Sequence, residues 1–407
     1  MHRTEVDVKA SLFVFAIDLV DEGVETVLDR IGDRAGADTI TLAAAYHNAR
    51  DVLPHNPNRA VYYHEGGTVF FHPNEGAYGS LVPRPATLVR DHDLLDELCA
   101  AAGTRGLDVQ AWVVYLHNSR LATLVPDCAT ANVFGDRSHT DLCPSHPEVV
   151  RYATALTQDV CRYPISAIVA ESLHFKPFDH GYHHERMFVD LGAVAKFLLG
   201  LCFCEWCEGR ARDRGVAVDD LRRTISGFLR DVFGGGGGGF GELRMADVVE
   251  AVGPGVEGYI AARADSVADV VGRVGDVARG AGVELTLSAH AGSAKGGSTR
   301  STDSADEAWA LGVDLGRVAD LGDVFHVLGY VDDEAELARM IEEYRAKLGG
   351  APFAVGLRPM WPDTEGPDGL AAKVRVARES GARRLDFYHY GLMPERSLDW
   401  IRAALEG

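Results

Sequence analysis

Residues 147–175 read PEVVRYATALTQDVCRYPISAIVAESLHF, a helical pattern followed by a short apolar run. Pro147–Arg162 carries apolar residues at three- and four-residue spacing, which is typical of an amphipathic helix. Ala167–Phe175 is apolar up to Glu171, as expected for a strand that is buried on both faces. This helix–strand pair recurs along the chain and therefore decides the fold.

Seven further apolar runs of the same kind are separated from one another by helical patterns or longer polar segments. They are Ser11–Asp18, Thr39–His47, Asp108–His117, Val283–His290, Asp323–Tyr330, Phe353–Trp361 and Arg384–Tyr390. A (β/α)8 TIM barrel, which is an α/β fold, has eight strands that alternate with helices, and the number of runs here matches it. The alternative is a doubly wound open sheet, which would carry a glycine-rich phosphate turn after the first strand, and Asp18–Glu22 has none. We therefore predict a single (β/α)8 barrel domain over residues 1–407.

Extra chain is predicted after strands 2 and 4. Residues 60–72 read AVYYHEGGTVFFH, which indicates a hairpin insertion that turns at Gly66 and Gly67. Residues 174–282 are predicted to form an extended insertion that holds a cysteine cluster and several helices. Both insertions follow strand C-termini, where barrel enzymes carry their active sites.

The charge balance excludes some classes of partner. The chain has 40 Lys and Arg against 60 Asp and Glu, a net charge of −20, and contains no basic run. Such a chain should repel nucleic acid and anionic membrane surfaces. It also shows no signal peptide and no apolar stretch of the ~18 residues that a membrane helix needs. We therefore expect a cytoplasmic protein without nucleic-acid or membrane partners.

Three cysteines are crowded together in the sequence Cys202-Phe-Cys204-Glu-Trp-Cys207. Thiolates at this C-x-C-x-x-C spacing can converge on one tetrahedral ion, and a fourth ligand would complete a structural zinc site. Cys143 is the candidate for that ligand because it lies in a polar turn. The alternatives are buried thiols at a helix start and an iron–sulfur centre.

One upstream cysteine and then C-x-C-x-x-C after barrel strand 4 resembles the structural zinc site of some microbial β-galactosidases of glycoside hydrolase clan A. The stretch Cys143–Tyr152, followed by a helix and a strand that ends in Glu171, is similar to glycosyl-hydrolase-like barrels. The resemblance includes specific motifs over residues 140–210, and elsewhere it is limited to the order of strands and helices in a barrel. It implies a carbohydrate substrate and a structural zinc, and it leaves room for a homo-oligomer.

The sequence departs from clan A at two positions. Clan A places an Asn-Glu pair at strand 4, where this chain has Ala170-Glu171, and a second glutamate at strand 7, which here ends in Arg358-Pro-Met-Trp361. The resemblance implies that Glu171 acts as acid/base or nucleophile in glycoside cleavage. The same carboxylate could instead be structural and paired with an arginine such as Arg358. Asp363 and Asp18 are the candidates for the second catalytic carboxylate, with Asp332 as a further one.

Polar and aromatic residues fall at the other predicted strand ends, and a barrel brings them around one pocket. Such a pocket suits a polyhydroxylated ligand, because rings stack on sugar C–H patches and polar groups bond hydroxyls. The candidate substrate-binding residues are His47, His117, His174, His290, Tyr330, Arg358, Trp361 and Tyr390.

Two other functions fit the same residues. Histidines at five strand ends suggest a catalytic metal, and with it a metal-dependent isomerase, epimerase or lyase that acts on a sugar. The absence of a glutamate at strand 7 suggests a catalytically silent carbohydrate-binding barrel. The sequence leaves both open beside the hydrolase.

Overall fold

Eight parallel strands close into a barrel. A computed structural model describes residues 8–181, 186–237, 243–288 and 305–407. The strands are β1 (Lys9–Val14), β2 (Thr39–Tyr46), β3 (Asp108–Val114), β4 (Ala167–Glu171), β5 (Glu284–Ser288), β6 (Val324–Leu328), β7 (Phe353–Leu357) and β8 (Arg384–Phe387). β1 pairs with both β2 and β8, with Ser11 opposite Thr39 and Lys9 opposite Arg384. The predicted (β/α)8 barrel is confirmed, and the open sheet is excluded because the ring has no free edge.

Helices follow every strand among the described residues. After β1 come Ala16–Glu22 and Val24–Asp29, and after β2 comes Leu94–Arg105. The remaining α-helices are Ser119–Leu124, Pro147–Val160, Gly192–Gly200, Glu205–Asp213, Val218–Asp231, Met245–Val252, Gly255–Gly280, Leu315–Ala319, Glu334–Leu348, Pro367–Glu379 and Ser397–Glu406. Short 3-10 or π turns cover Arg30–Arg34, Glu75–Ala77, Thr87–Val89, Pro126–Cys128, Val232–Gly236, Ala305–Leu311 and Tyr390–Leu392. No helix in the described ranges is both long enough and apolar enough to cross a bilayer.

The segment after β2 folds differently from the predicted hairpin. Val61–Tyr63 pairs antiparallel with Arg50–Val52, and Thr68–Val69 pairs with the end of β2. The hairpin predicted over residues 60–72 is wrong in its pairing, because Phe70 and Phe71 are buried in the core and hold that segment against the barrel. The two-stranded sheet Arg50–Val52/Val61–Tyr63 therefore follows the C-terminal end of β2.

The barrel interior contains a buried ion pair. Arg384 donates to Asp386 from Nε at 2.7 Å and from Nη2 at 3.0 Å, and both side chains are almost completely enclosed. A buried charge that loses its partner is strongly destabilising, whereas an exposed pair contributes little. Because this ion pair lies inside the barrel, replacing one of its residues tests whether the pair is buried there.

We expect Asp386→Asn to lower the free energy of unfolding by about 3 kcal/mol, because it removes the nearer counter-charge of the buried Arg384 guanidinium and leaves only Glu284, at 3.3 Å. Urea unfolding measures the change. Asp108→Asn is the control, since Asp108 pairs with Lys9 at the surface, and its loss should stay below about 1 kcal/mol. Equal losses in the two variants would contradict the proposed burial of the ion pair.

Candidate active site and cysteine centre

Glu171 is the last residue of β4 and lies at the C-terminal mouth of the barrel. The indole Nε1 of Trp112, on the neighbouring β3, donates a 2.8 Å hydrogen bond to Glu171 Oε2. The Trp112 ring is itself fixed by contacts with the rings of Tyr46 at 4.9 Å, Phe13 at 5.3 Å and Tyr388 at 5.9 Å. A rigid donor therefore sets the direction of a partly exposed carboxylate.

The backbone turns sharply immediately after this carboxylate. Ser172 has a φ of +60°, in the left-handed region, although it is not a glycine. Its side chain is fully buried, and its carbonyl oxygen accepts a hydrogen bond from the Leu116 N–H at 3.2 Å. Residues other than glycine adopt this backbone conformation at a cost of order 1–3 kcal/mol, and residues held in it cluster at functional sites. The surrounding structure holds the exit of β4 in this conformation next to Glu171.

Two tyrosines lie beside Glu171, and a second carboxylate lies close to them. The rings of Tyr46 and Tyr388 both pack on Trp112, with ring centres 4.9 Å and 5.9 Å from the indole. Burial raises the pKa of both phenols, and the negative charges of Asp51 and Glu171 raise it further. Both carboxylates therefore act on the same pair of hydroxyls.

Asp51 belongs to the small sheet after β2. Its Oδ2 lies 2.8 Å from Nε2 of His64, a ring that is 1% exposed, whereas the Asp51 side chain is 18% exposed. The His64 ring contacts Phe15 at 4.4 Å and Tyr46 at 5.1 Å between centroids. Neither residue lies at the end of a predicted barrel strand. Site residues were predicted from such positions, as Glu171 was, so Asp51 and His64 were not predicted.

Histidines line the next part of the mouth. The rings of His47 and His117 are 5.0 Å apart, and His180 lies 4.8 Å from His117. His117 Nδ1 lies 3.0 Å from Asp141 Oδ1. Burial lowers the pKa of His47 to about 4, and the neighbouring His117 lowers it too, so this ring is neutral near pH 7. His47 and His117 are thus brought together as predicted from the strand ends.

Arg358 and Asp363 are bonded to each other after β7. Arg358 donates to Asp363 from Nε and, at 2.8 Å, from Nη2, and the Asp363 side chain is fully enclosed. The guanidinium also lies 4.5 Å from the centre of the Tyr330 ring. Trp361 is 66% exposed, which leaves its ring open for stacking.

The other predicted site residues have different surroundings. Asp18 is not at a strand end as expected, because β1 ends at Val14; it lies in the first turn of Ala16–Glu22 and accepts a 2.9 Å bond from the Phe15 N–H. Burial raises the pKa of Asp18 to about 7. The Tyr390 hydroxyl donates to Glu22 at 2.6 Å.

Two of the predicted histidines remain. His174 is buried, and its Nδ1–H donates to the carbonyl oxygen of Phe175 at 2.7 Å. His290 lies outside the described residues.

Four cysteines converge in the loops that follow β3 and β4. Cys143 Sγ lies 3.6 Å from Cys204, 3.5 Å from Cys207 and 3.8 Å from Cys202, and all four are buried. In a tetrahedral site with Zn–S bonds of about 2.3 Å, two sulfurs are about 3.8 Å apart. The observed spacing therefore fits a tetrahedral ion. These four form the one such cluster of His, Cys, Asp and Glu side chains within the described ranges.

The surroundings of the cysteines also suit bound thiolates. The Ala131 N–H donates to Cys202 Sγ at 3.4 Å, and hydrogen bonds from the other three thiols hold the pKa of Cys204 below its usual range. The buried guanidinium of Arg263 is close enough to interact with Cys202 and Cys207. Positive charge and N–H donors offset the negative charge of a tetrathiolate centre.

Comparison with known proteins shows the fold. No family model and no curated protein matches the chain. A β-galactosidase from Rahnella sp. R3 superposes with a TM-score of 0.57 at 11% identity over 99% of this chain and 56% of that one. A β-galactosidase from the Antarctic haloarchaeon Halorubrum lacusprofundi gives 0.56 at 14% identity, over 98% and 58%. The catalytic domain of a Paenibacillus polymyxa β-amylase gives 0.54 at 11% identity, over 97% and 94%.

The chain thus spans little more than half the length of the two β-galactosidases and nearly all of the β-amylase domain. At these sequence identities, structural similarity shows a shared fold but does not show a shared activity. The resemblance to glycoside-hydrolase barrels that the sequence predicted is confirmed at that level: this chain has the closed (β/α)8 barrel that these glycoside hydrolases share.

Proposed function

We propose that this protein is a glycoside hydrolase that acts on a sugar or glycoside at the mouth formed by Glu171, Tyr46 and Tyr388. The observation that carries the proposal is the 2.8 Å hydrogen bond from Trp112 to Glu171. It aims a carboxylate into a cup of aromatic rings and hydroxyls at the end of β4. Aromatic faces and a few directed polar groups are what a sugar ring needs for orientation.

In this proposal Glu171 acts as acid/base or as nucleophile, and Asp51 is the second carboxylate. Asp51 is partly exposed, and its negative charge, like that of Glu171, raises the pKa of Tyr46 and Tyr388. Asp363 and Asp18, the two candidates from the sequence, are both enclosed. We propose that Asp363 orients Arg358 toward substrate hydroxyls and that Asp18 caps the helix after β1. The separation of the two carboxylates determines the stereochemistry, with retention near ~5 Å and inversion at ~6.5–9.5 Å.

We also propose that Cys143, Cys202, Cys204 and Cys207 hold a structural zinc ion. A site closed by four thiolates leaves no position for water or substrate, so the ion would not take part in the chemistry. Its ligands come from the loops after β3 and β4, the two strands that carry Trp112 and Glu171. The ion would therefore link the two loops that follow the strands of Trp112 and Glu171.

A catalytically silent carbohydrate-binding barrel is the second candidate. The observation that favours it is the end of β7, where Arg358 stands and is bonded to Asp363. Such a protein would retain the aromatic mouth for binding and lack turnover.

The test is a panel of 4-nitrophenyl glycosides and reducing-end-labelled oligosaccharides incubated with the purified protein. Release of 4-nitrophenol or a shorter oligosaccharide supports the hydrolase, and the anomer formed first, followed by NMR, reports retention or inversion. Sugar binding by calorimetry without any release would favour the silent barrel.

Asp51→Asn should lower kcat on the best substrate of that panel by about 10²-fold or more, because the second carboxylate of a glycosidase stabilises or forms the intermediate. The neutral side chain can still contact His64, so the fold should persist. Asp108→Asn, at the opposite end of the barrel at the start of β3, is the matched control and should retain most of the activity. An Asp51→Asn variant as active as the control would remove Asp51 from the mechanism.

A further inference from the structure

A cavity of about 840 Å³ lies beside the mouth, between the loop after β4 and the helix Gly192–Gly200. It is lined by Lys176, Lys196 and Arg263 together with aromatic and aliphatic side chains. Three cations at one cavity are notable in a chain with a net charge of −20. Lys176 lies in the loop after β4, five residues beyond Glu171, so the cavity is at the same end of the barrel as the proposed active site.

Lys176 is buried and has no hydrogen-bonding partner among the described residues. Its side chain is 8% exposed, yet its ammonium makes no hydrogen bond or ion pair with any part of the chain that the structure describes. Burial lowers the pKa of Lys176, and the carboxylates of Glu171 and Asp141 oppose that effect from a distance. A charge this deeply placed without a partner is costly, and a bound anion would offset that cost.

Arg263 has a similar unsatisfied donor. It is 2% exposed, its Nη1 donates to the Ala310 carbonyl oxygen at 3.0 Å, and its Nε is buried without a partner in the described ranges. The guanidinium stacks 4.4 Å from the centre of the Phe175 ring, which fixes its plane. Part of its charge would be offset by the cysteine thiolates, but the Nε–H remains available.

The start of helix Gly192–Gly200 faces the same cavity. Gly192 and Ala193 line it, the N-cap residue Leu191 has no side chain that could cap the helix, and the first turn has no acidic residue. The N–H groups at a helix start carry a partial positive charge and bind anions. The cavity therefore has three independent sources of positive potential, which are Lys176, Arg263 and this helix end.

Two carboxylates at the cavity reduce that potential without cancelling it. Asp179 is bonded to Lys196 at 2.8 Å, so those two charges offset each other. Asp190 is exposed and therefore screened by water. What remains inside is the charge of Lys176 and the Nε–H donor of Arg263.

From this arrangement we infer that the cavity binds an anionic group, a carboxylate or a phosphate, carried by the sugar that occupies the mouth. The inference rests on the proposed function in that it assigns the substrate to the acidic or phosphorylated sugars. Lys176 supplies the charge, the N–H groups of Gly192 and Ala193 and the Arg263 Nε–H supply directed donors, and the mouth beside Glu171 receives the sugar ring.

Calorimetric titration tests this without any turnover. The probes are D-glucuronate, D-glucose 6-phosphate, neutral D-glucose and inorganic phosphate at one ionic strength. We expect at least one charged sugar to bind ten-fold or more tightly than D-glucose. Preference for glucuronate identifies an acidic sugar, and preference for the 6-phosphate identifies a phosphorylated one. Equal affinities for charged and neutral sugars, or binding of inorganic phosphate alone, would overturn the inference.

Three variants locate the binding. Lys176→Met should weaken the preferred charged sugar ten-fold or more, while Lys9→Gln, which loses a surface lysine paired with Asp108 at the start of β1, should change it less than three-fold. Ala193→Asp places a negative charge at the cavity and should abolish binding, and an acidic residue in the first turn favours the helix, so misfolding would not explain the loss. Unchanged affinity in Lys176→Met and Ala193→Asp would refute the site. Binding with no hydrolysis of any glycoside would leave the site intact and reject only the hydrolase.

Discussion

Glu171→Gln should lower kcat on the best glycoside by about 10³-fold, with little change in KM. Proton transfer by a positioned carboxyl group contributes about 10²–10⁴-fold, and an amide can neither transfer the proton nor act as the nucleophile. The substitution keeps the shape of the side chain, and its carbonyl oxygen can still accept the bond from Trp112. A loss confined to kcat would therefore report chemistry rather than binding.

Trp112→Phe provides the matched comparison for Glu171→Gln. It removes the indole N–H but retains an aromatic ring among Phe13, Tyr46 and Tyr388. Because the carboxylate remains and only its orientation is released, we expect a smaller loss of about ten-fold and an altered pH profile of kcat. Glu171→Gln with wild-type activity would end the proposal that this residue carries the reaction.

Cys204→Ser should abolish stoichiometric metal binding and destabilise the protein by more than about 4 kcal/mol. Loss of a structural metal is one of the few single changes with an effect of this size, because ion binding is coupled to folding. Elemental analysis should find about one zinc per chain in the wild type and far less in the variant. Thermal unfolding should show a lower Tm, and a chelator should lower the wild-type Tm in the same direction.

Cys161→Ser is the control for Cys204→Ser. Cys161 follows the helix Pro147–Val160 and takes no part in the four-cysteine cluster. We expect this variant to keep its metal and most of its stability. A wild type without metal would show that the four residues are simply buried thiols, and an iron–sulfur centre would be seen as iron and visible absorbance.

The barrel itself could be predicted because its signal is local. Runs such as AIVAE at residues 167–171 are apolar at nearly every position, and this is the pattern of a strand covered on both faces. The C-x-C-x-x-C spacing likewise predicted a cluster, and the turn position of Cys143 selected the fourth member. Glu171, His47 and His117 were found by the same rule, since a residue that ends a barrel strand must lie at the mouth.

The pairing of charged groups could not be predicted in the same way. Asp363 is not open to a substrate because its carboxylate is bonded to the buried side chain of Arg358. Asp18 does not end a strand because its carboxylate accepts the N–H of Phe15 at the start of the following helix. Asp51 looks like an ordinary loop residue until the short strands Arg50–Val52 and Val61–Tyr63 pair beside His64. These outcomes depend on individual contacts between residues, and no periodic pattern along the chain predicts such contacts.

The sequence by itself determined the closed barrel, the cysteine cluster and Glu171 at the mouth, because each follows from periodicity or spacing along the chain. Only the tertiary structure showed that Trp112 donates to Glu171, that Asp51 lies against His64 and that Lys176 and Arg263 line one cavity. Burial and unsatisfied donors are properties of a three-dimensional neighbourhood, and the residues that create that neighbourhood here come from different loops, brought together only when the ring closes.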